Sequence, residues 1–290
     1  MRVNIITHFN GVGLEHDARI INDLLSREGH EVKYIEVHRP EYNYADVNIF
    51  LELVDIKFKK YGKRNIIIPN PEWFFSRWFP DIIDFEVLCK TRDAMCIFTR
   101  WSKKVSYIGF TSEDCHREDV YREPYFIHIA GKSSQKNTDV ILKAWATGRI
   151  REKLILVKDD KLIKINNVIH LRRINRGNLV ELMNICKYHL CPSEYEGFGH
   201  YINEARSVGG LIISTNSEPM NEIVRHGVLI EPDYYYLRHQ GKMAKITDVN
   251  KIIMAVEEVK LLGEEYMNKT REDYLIDKEI FEKNFLKHFK

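Results

Sequence analysis

Residues 188–210 constrain this chain more than any other stretch. A short apolar run over 188–191 leads into Pro192-Ser193-Glu194-Tyr195-Glu196-Gly197-Phe198-Gly199. A helical segment over 201–208 follows and is closed by Gly209-Gly210. Strand, glycine-rich loop and helix in that order leave backbone N–H groups at a helix start, where they favour an anion. Glu196 lies in the loop and Glu204 on the helix. In a continuous helix that spacing rises about 12 Å. The loop at the front shortens the span, so both carboxylates can line one pocket.

The rest of the chain supplies the frame of a doubly wound α/β protein. Residues 3–7 read as a buried strand. The turn Gly11-Val12-Gly13 follows, then a helix with Leu14, Ala18, Ile21, Leu24 and Leu25 on one face, then a strand over 31–37. The two glycines serve either a tight turn or the close approach of a phosphate or sugar. Further strands are expected over 47–54, 65–68 and 94–98, with a helix over 81–90, another starting at 101 and a short strand over 107–110. Residues 57–64 are basic with interleaved aromatics; they form a solvated face or touch phosphates.

Residues 69–75 follow a strand whose carboxyl end faces the ligand crevice of such a sheet. Asn70, Glu72 and Trp73 are therefore acceptor-side candidates, while most of the neighbouring aromatics pack the loop. The aperiodic, charged stretch 111–123 marks a boundary. We expect domains over 1–120 and 121–265, and a helical segment over 266–290.

The second domain opens with a strand over 125–130 and the loop Gly131-Lys132-Ser133-Ser134-Gln135-Lys136. Asn137 or Thr138 caps the next helix. Two lysines four apart in a strand-to-helix loop suit a diphosphate. Strands over 153–158 and 167–171 follow, the latter ending at Arg172-Arg173, then a helix over 178–186. After the central motif come a polar, aromatic insertion over 234–242 and an amphipathic helix over 249–262.

The 290 residues suffice for two domains, and a net charge of +2 argues against a protein held to nucleic acid by bulk charge. Five cysteines, an odd number without a C-x-x-C pair, read as reduced thiols of a cytoplasmic protein. Cys115-His116 lacks further ligands at metal-binding spacing. No apolar run approaches the ~20 residues of a membrane span, which leaves peripheral membrane contact open.

The ordered set Pro192-Ser193, Glu196-Gly197-Phe198-Gly199, Glu204-Ala205, Gly209-Gly210, Pro219, Glu222-Ile223-Val224, Gly227 and Pro232 resembles the E-x7-E motif of retaining GT-B glycosyltransferases of the family-4 type, the group 1 enzymes. The resemblance implies two Rossmann-like domains facing a cleft, with a UDP-, GDP- or ADP-linked sugar mostly on the second and the acceptor mostly on the first. Glu204 would then bond the donor ribose. Glu196, with Lys132 and Lys136 on the diphosphate, would form the catalytic set. Gly197, Phe198 and Gly199 would offer N–H groups, Gly11 and Gly13 would approach the donor, and the loop of Arg173 would meet the nucleobase.

Lys132 stands where the family has arginine, and Asn137 where it has glycine. Lysine keeps the charge and loses the bidentate fork. The resemblance further implies retention of configuration, no metal and no cofactor beyond the donor substrate, and a final helix that returns to the first domain. The acceptor it implies is a glycan or glycolipid. Two alternatives stand beside it. One is a hydroxymethylated DNA base, flipped onto residues 70–75 with the 57–64 run on phosphates. The other is a catalytically silent nucleotide-sugar-binding protein. A two-carboxylate hydrolase fits the phosphate-suited helix start less well.

Overall fold

The computed structural model describes residues 1–8, 13–39 and 41–290. Gly11, one of the two glycines expected near the donor, lies outside them. The chain divides into two compact units. Unit 1 comprises Met1–Ser112, Leu237–Gly241 and Asp277–Lys290; unit 2 comprises Glu113–Tyr236 and Lys242–Ile276. The division falls ahead of the expected position at 120 because the charged stretch is tied to unit 2. The Cys115 N–H donates to Ser207 Oγ at 3.0 Å, and the Arg117 N–H to Asn184 Oδ1 at 2.9 Å.

Unit 1 contains strands β1 (Arg2–Thr7), β2 (Glu31–Glu36), β3 (Ala45–Leu51), β4 (Gly62–Ile68), β5 (Glu86–Cys89) and β6 (Val105–Tyr107). Among the described residues they form one parallel sheet in the order β2-β1-β3-β4-β5-β6. A parallel sheet is covered on both faces, so its strands are continuous apolar runs. Ile5, Ile6, Ile49, Phe50, Ile66 and Ile67 accordingly have no exposed surface.

The exception is a buried asparagine ladder. Asn4, Asn48 and Asn65 are register partners on β1, β3 and β4. Asn4 donates to Asn48 Oδ1 and Asn48 to Asn65 Oδ1, each at 3.0 Å, so the side chains satisfy one another across the strands. Helix α1 (Gly13–Arg27) buries the expected stripe Leu14, Ala18, Ile21, Leu24 and Leu25.

Four expectations in this unit are corrected. Residues 81–90 hold strand β5, not a helix: Val87 and Leu88 are fully buried, and Val87 is paired with strands on both sides. Residues 94–98 lie in helix α2 (Arg92–Phe98), not in a strand. Thr91 caps it by accepting from the Ala94 N–H at 3.1 Å, with Asp93 in the first turn. No helix begins at 101; β6 follows instead, and the expected strand over 107–110 only touches its end at Tyr107. Short apolar runs do not reveal their period, and tertiary pairing decides them.

Unit 2 contains β7 (Glu123–Gly131), α3 (Thr138–Ala146), β8 (Leu154–Lys158), β9 (Val168–Leu171), α4 (Arg176–Ile185), β10 (Cys186–Cys191), α5 (His200–Ser207), β11 (Leu211–Thr215), α6 (Met220–Ile223) and β12 (Gly227–Ile230). Its parallel sheet runs β12-β11-β10-β7-β8-β9. The insertion over 234–242 is a hairpin, β13 (Tyr234–Arg238) with β14 (Gly241–Lys245). Helix α7 (Val249–Val259) packs Ile252, Ile253, Val256 and Val259 into the core. Helix α8 (Glu264–Leu286) begins in unit 2 and ends in unit 1, where Phe281 packs edge-on to Phe110 at 4.7 Å. Among the described residues no helix is long and apolar enough to cross a membrane.

Candidate active site

In unit 2 the chain lays down β7, β8 and β9 in one direction. It then returns to set β10 beside β7 and builds outward through β11 and β12. The order reverses between β7 and β10. In doubly wound sheets ligands bind beyond the carboxyl ends of the strands at such a reversal. The loop leaving β7 carries Lys132 and Lys136; the loop leaving β10 carries Glu196.

The two loops are tied together from below. The Glu194 N–H donates to Gln135 O at 2.9 Å, and Asn137 Nδ2 to Pro192 O at 2.9 Å. Asn137 precedes α3 in a left-handed conformation, φ +48°, and its side chain does not cap the helix; its Oδ1 accepts from the Ile246 N–H instead. Beneath the loops, His128 of β7 is fully buried. Its Nδ1 lies 2.8 Å from Leu190 O, and its Nε2 lies 2.9 Å from the Thr138 hydroxyl. A carbonyl only accepts, so Nδ1 carries the proton and Nε2 receives the hydroxyl. Burial lowers the His128 pKa to about 4, with Lys136 and Lys158 adding to the shift. The ring is a neutral strut between β10 and the start of α3.

On this support Lys136 forms an ion pair with Glu196, their side chains 13% and 16% exposed. Ser193 Oγ donates to Glu196 Oε1 at 2.5 Å and bonds the Tyr201 hydroxyl at the same distance. The ammonium lies 3.4 Å from the centre of the Tyr201 ring, an arrangement that strengthens as water is excluded. Burial, with Cys191 and Glu196 nearby, pushes the Tyr201 phenol well above its ordinary pKa, so it stays protonated. Gly199 makes the close approach possible. Its φ is +78°, and a Cβ there would lie 3.1 Å from Ile202 Cδ1 and 3.3 Å from Glu196 Cγ. Gly197 and Phe198 are buried beside it.

Glu204, in α5, is 6% exposed. Its Oε1 accepts from Arg176 Nη2 at 2.7 Å, and the same guanidinium reaches Glu113 and Cys115 Sγ. Burial disfavours charge on Arg176, but Glu204 beside it outweighs this and raises its pKa. One carboxylate oxygen of Glu204 is therefore engaged, and among the described residues Oε2 accepts no hydrogen bond. Burial, with Glu204 nearby, pushes the Cys115 thiol up to about 12.

The remaining expected residues are dispersed. Lys132 is exposed. Arg173, beyond β9, is 86% exposed and lies 3.6 Å from Asp159. Gly13 opens α1 in unit 1, and among the described residues no atom beyond its chain neighbours and its own helix lies within 4 Å of where a Cβ would sit. Asn70, Glu72 and Trp73 also belong to unit 1. Asn70 donates to Glu52 Oε2 at 2.7 Å and accepts from Lys90 Nζ at 3.0 Å. Glu72 is buried, and Arg238 covers the Trp73 ring at 4.0 Å. Sequence reasoning missed Ser193, Tyr201, His128 and Arg176. Ser193 and Tyr201 lie inside the motif itself. No feature of the sequence marked Arg176, which in the structure opens α4 directly after its Asn175 cap.

Two described clusters hold metal-ligating atoms within 4.8 Å of one another: His8, Glu36 and His38 in unit 1, and Glu113, Cys115 and Glu204 in unit 2. In the second, the Arg176 guanidinium already supplies the positive charge. The basic run lies at the other end of unit 1's sheet. Lys57, Lys59 and Lys60, with Tyr42 stacked on Tyr61, line a groove of about 750 Å³ ahead of the amino ends of β3 and β4.

The profile of the family described as glycosyl transferases, group 1, matches residues 118–269. No curated protein sequence matches the chain. Among solved structures, sucrose-phosphate synthase from Thermosynechococcus elongatus is 12% identical with a TM-score of 0.69, over 98% of this chain and 95% of that one. The glycosyltransferase AviGT4 of avilamycin A biosynthesis is 12% identical with a TM-score of 0.69, over 100% and 97%. An α,α-trehalose-phosphate synthase from Burkholderia vietnamiensis is 7% identical with a TM-score of 0.71, over 99% of each. At these identities the likeness establishes the fold: two Rossmann-like units of the GT-B type.

Proposed function

The chain belongs to the group 1 glycosyl transferases, and on that premise we propose a retaining, metal-independent enzyme that moves a sugar from a nucleoside diphosphate to a hydroxyl of a glycan or glycolipid. Transfer from a nucleotide sugar is the activity of the family; retention, metal independence and the acceptor are our reading. The observation that carries it is the Lys136–Glu196 pair at the strand-order reversal of unit 2. A donor diphosphate draws Lys136 toward its oxygens, where the ammonium offsets charge that grows as the sugar leaves. Glu196, released from the pair, accepts hydroxyls of the sugar. Glu204 Oε2 accepts a ribose hydroxyl while Arg176 holds Oε1.

The DNA-base alternative needs the 57–64 run and residues 70–75 in one place. They flank opposite ends of β4 (Gly62–Ile68). A seven-residue strand spans about 23 Å, which speaks against a single base-receiving site.

A thermal-shift panel of UDP, GDP and ADP with their sugars, with and without EDTA, tests the donor. One nucleotide is expected to raise Tm in a concentration-dependent way, by the equivalent of about 2.7 kcal/mol at a hundredfold excess over Kd. The shift should persist in EDTA and weaken in Glu204→Ala. A panel without any response would count against a nucleotide-sugar site of either kind, catalytic or silent, and loss of the shift in EDTA would remove metal independence. Proton NMR of the anomeric centre in the product checks retention.

A further inference from the structure

We propose that Glu52 is an acceptor-binding residue in unit 1 and that it receives a hydroxyl of an uncharged, hydroxyl-rich acceptor. The inference rests on the reading that unit 1 takes the acceptor and deepens it to one carboxylate oxygen. It begins with the sheet. In unit 1 the chain goes from β1 to β2 on one side, then returns to set β3 on the other side of β1. The order therefore reverses between β1 and β3, and the ligand-binding position of such a sheet lies beyond their carboxyl ends. His8 directly follows β1, and Glu52 directly follows β3.

A line of polar side chains runs along this edge in the spatial order of the strands. Glu36 ends β2 and lies 3.3 Å from His8 Nδ1. Glu52 follows β3 and accepts from Asn70, which follows β4. Asn70 in turn accepts from Lys90, which follows β5 and is paired with the buried Asp17 of α1. Polar side chains gathered beyond the carboxyl ends of a doubly wound sheet stand where such sheets bind ligands. This edge carries two acids, an amide, an ammonium and an imidazole, in contact over most of its length.

Within that line Glu52 has the properties of a ligand group. Its backbone is left-handed at φ +67°, a conformation that costs a non-glycine residue free energy and persists where its surroundings impose it. The Glu52 N–H donates to Ile68 O at 3.0 Å and fixes the residue to β4. Lys90, 3% exposed, already has Asp17 as its counter-charge, so Glu52 is not required to neutralise it. Asn70 occupies Oε2 alone. Among the described residues Oε1 accepts no hydrogen bond, although Glu52 is only partly buried. Burial, opposed by the Asn70 bond and by Lys90 and His8 nearby, leaves its pKa raised. A half-buried carboxylate with one anchored and one open oxygen gains most from a hydrogen-bond donor. A sugar hydroxyl supplies one, whereas a phosphate would meet like charge.

The test uses the full chain. Saturation-transfer NMR is run with methyl hexosides, maltose and glycerol as uncharged probes and inorganic phosphate as the anionic one, on wild type, Glu52→Gln and Glu52→Ala. At least one uncharged probe should bind wild type and weaken about tenfold in Glu52→Ala, with Glu52→Gln intermediate because it keeps one acceptor oxygen. In transfer assays the acceptor KM should rise by the same factor while the donor KM stays fixed. Binding that Glu52→Ala retains, preference for phosphate, or no binding by any uncharged probe would each overturn the assignment. Circular dichroism of both variants separates a lost contact from a lost fold. The nucleotide thermal shift reports the donor reading independently, so the two can fail separately.

Discussion

The two units present the same sheet edge in two different ways. In unit 2 the reversal point is lined by two loops, and most of its side chains come from one continuous stretch, residues 193–204. In unit 1 the corresponding line is assembled from residues 8, 36, 52, 70 and 90, one from each of five strand ends. The first is a motif, the second a constellation. In the motif, glycines and a local helix start fix the geometry, so a carboxylate is held by near neighbours such as Ser193. In the constellation, each group is fixed by a partner on another strand, as Asn70 is by Glu52 and Lys90. A motif concentrates its chemistry in few groups; a constellation spreads it. The largest single-residue effects on transfer are therefore expected in unit 2.

The sharpest form of that expectation separates the two lysines of one loop. Lys136 is mostly buried, paired with Glu196 and seated on Tyr201, whereas Lys132 is exposed. Lys136→Met should lower kcat by about 10²–10³, the usual cost of removing one preorganised group that stabilises developing charge. Lys132→Met should lower it by no more than about tenfold, since an exposed charge is screened. Steady-state kinetics with the donor found in the thermal-shift panel decide it. Equal losses would mean that the pairing seen in unit 2 does not single out Lys136.

Acid acts on the two units through different groups. His128 and His189 in unit 2 are fully buried, and burial lowers their pKa values to about 4 and about 3 from 6.5. Between those values and 6.5 the unfolded chain binds protons that the folded unit refuses. Their contribution is therefore intact above pH 6.5 and is lost as pH falls toward 4, by about 3 kcal/mol for His128 alone. In unit 1, Glu52 acts in the opposite sense. Its folded pKa is raised, so the folded unit holds the proton more tightly and the contribution is lost as pH rises above 4.5. Asp46 titrates below this window, its pKa lowered to about 2 by Lys63. Amide exchange followed from pH 7 to pH 4 should show protection falling first in β7 and β10, with β1 and β3 protected longer. Simultaneous loss in both units would mean that they unfold as one.

The same contrast explains what could be read in the sequence. The motif over 188–210, its strand, its turn glycines and its helix were all legible because they are contiguous and punctuated. So were the strand-to-helix loop of Lys136 and the apolar stripe of α1. The partners of that motif were not. Arg176 reaches Glu204 from another helix, and no spacing rule connects them. Asn137 was legible as a helix start, but its side chain went to Pro192 and Ile246. Glu52 lay at the end of a strand that the pattern identified, yet nothing local marks it, because its left-handed backbone is imposed by β4. Residues 81–98 were assigned the wrong periods for a related reason. Val87 and Leu88 form too short a run to show a strand's alternation, and the Thr91 cap of α2 needs the strand before it to be recognised.

The smallest expected effect bears on the basic run, which the sequence alone left open between a solvated face and a phosphate contact. Lys59 pairs with Asp84 at 3.2 Å and Lys63 with Asp46 at 2.8 Å, so both charges are partly offset. Lys57 is exposed, and Lys60 leans over Tyr61 at 5.2 Å. Both lie before the amino end of β4, the far end of the strand from Asn70. Replacing Lys57 and Lys60 together with alanine removes no buried partner and touches neither carboxyl edge. Stability should move by no more than about 0.5 kcal/mol, and kcat/KM for a small uncharged acceptor should change less than about twofold. Any weak binding of duplex DNA at low salt should fall in the double variant, and its salt dependence should flatten with the loss of two phosphate contacts. A fall in transfer to the small acceptor as large as that of Lys136→Met would break the comparison, because it would tie the amino end of unit 1 to chemistry assigned to the carboxyl edges.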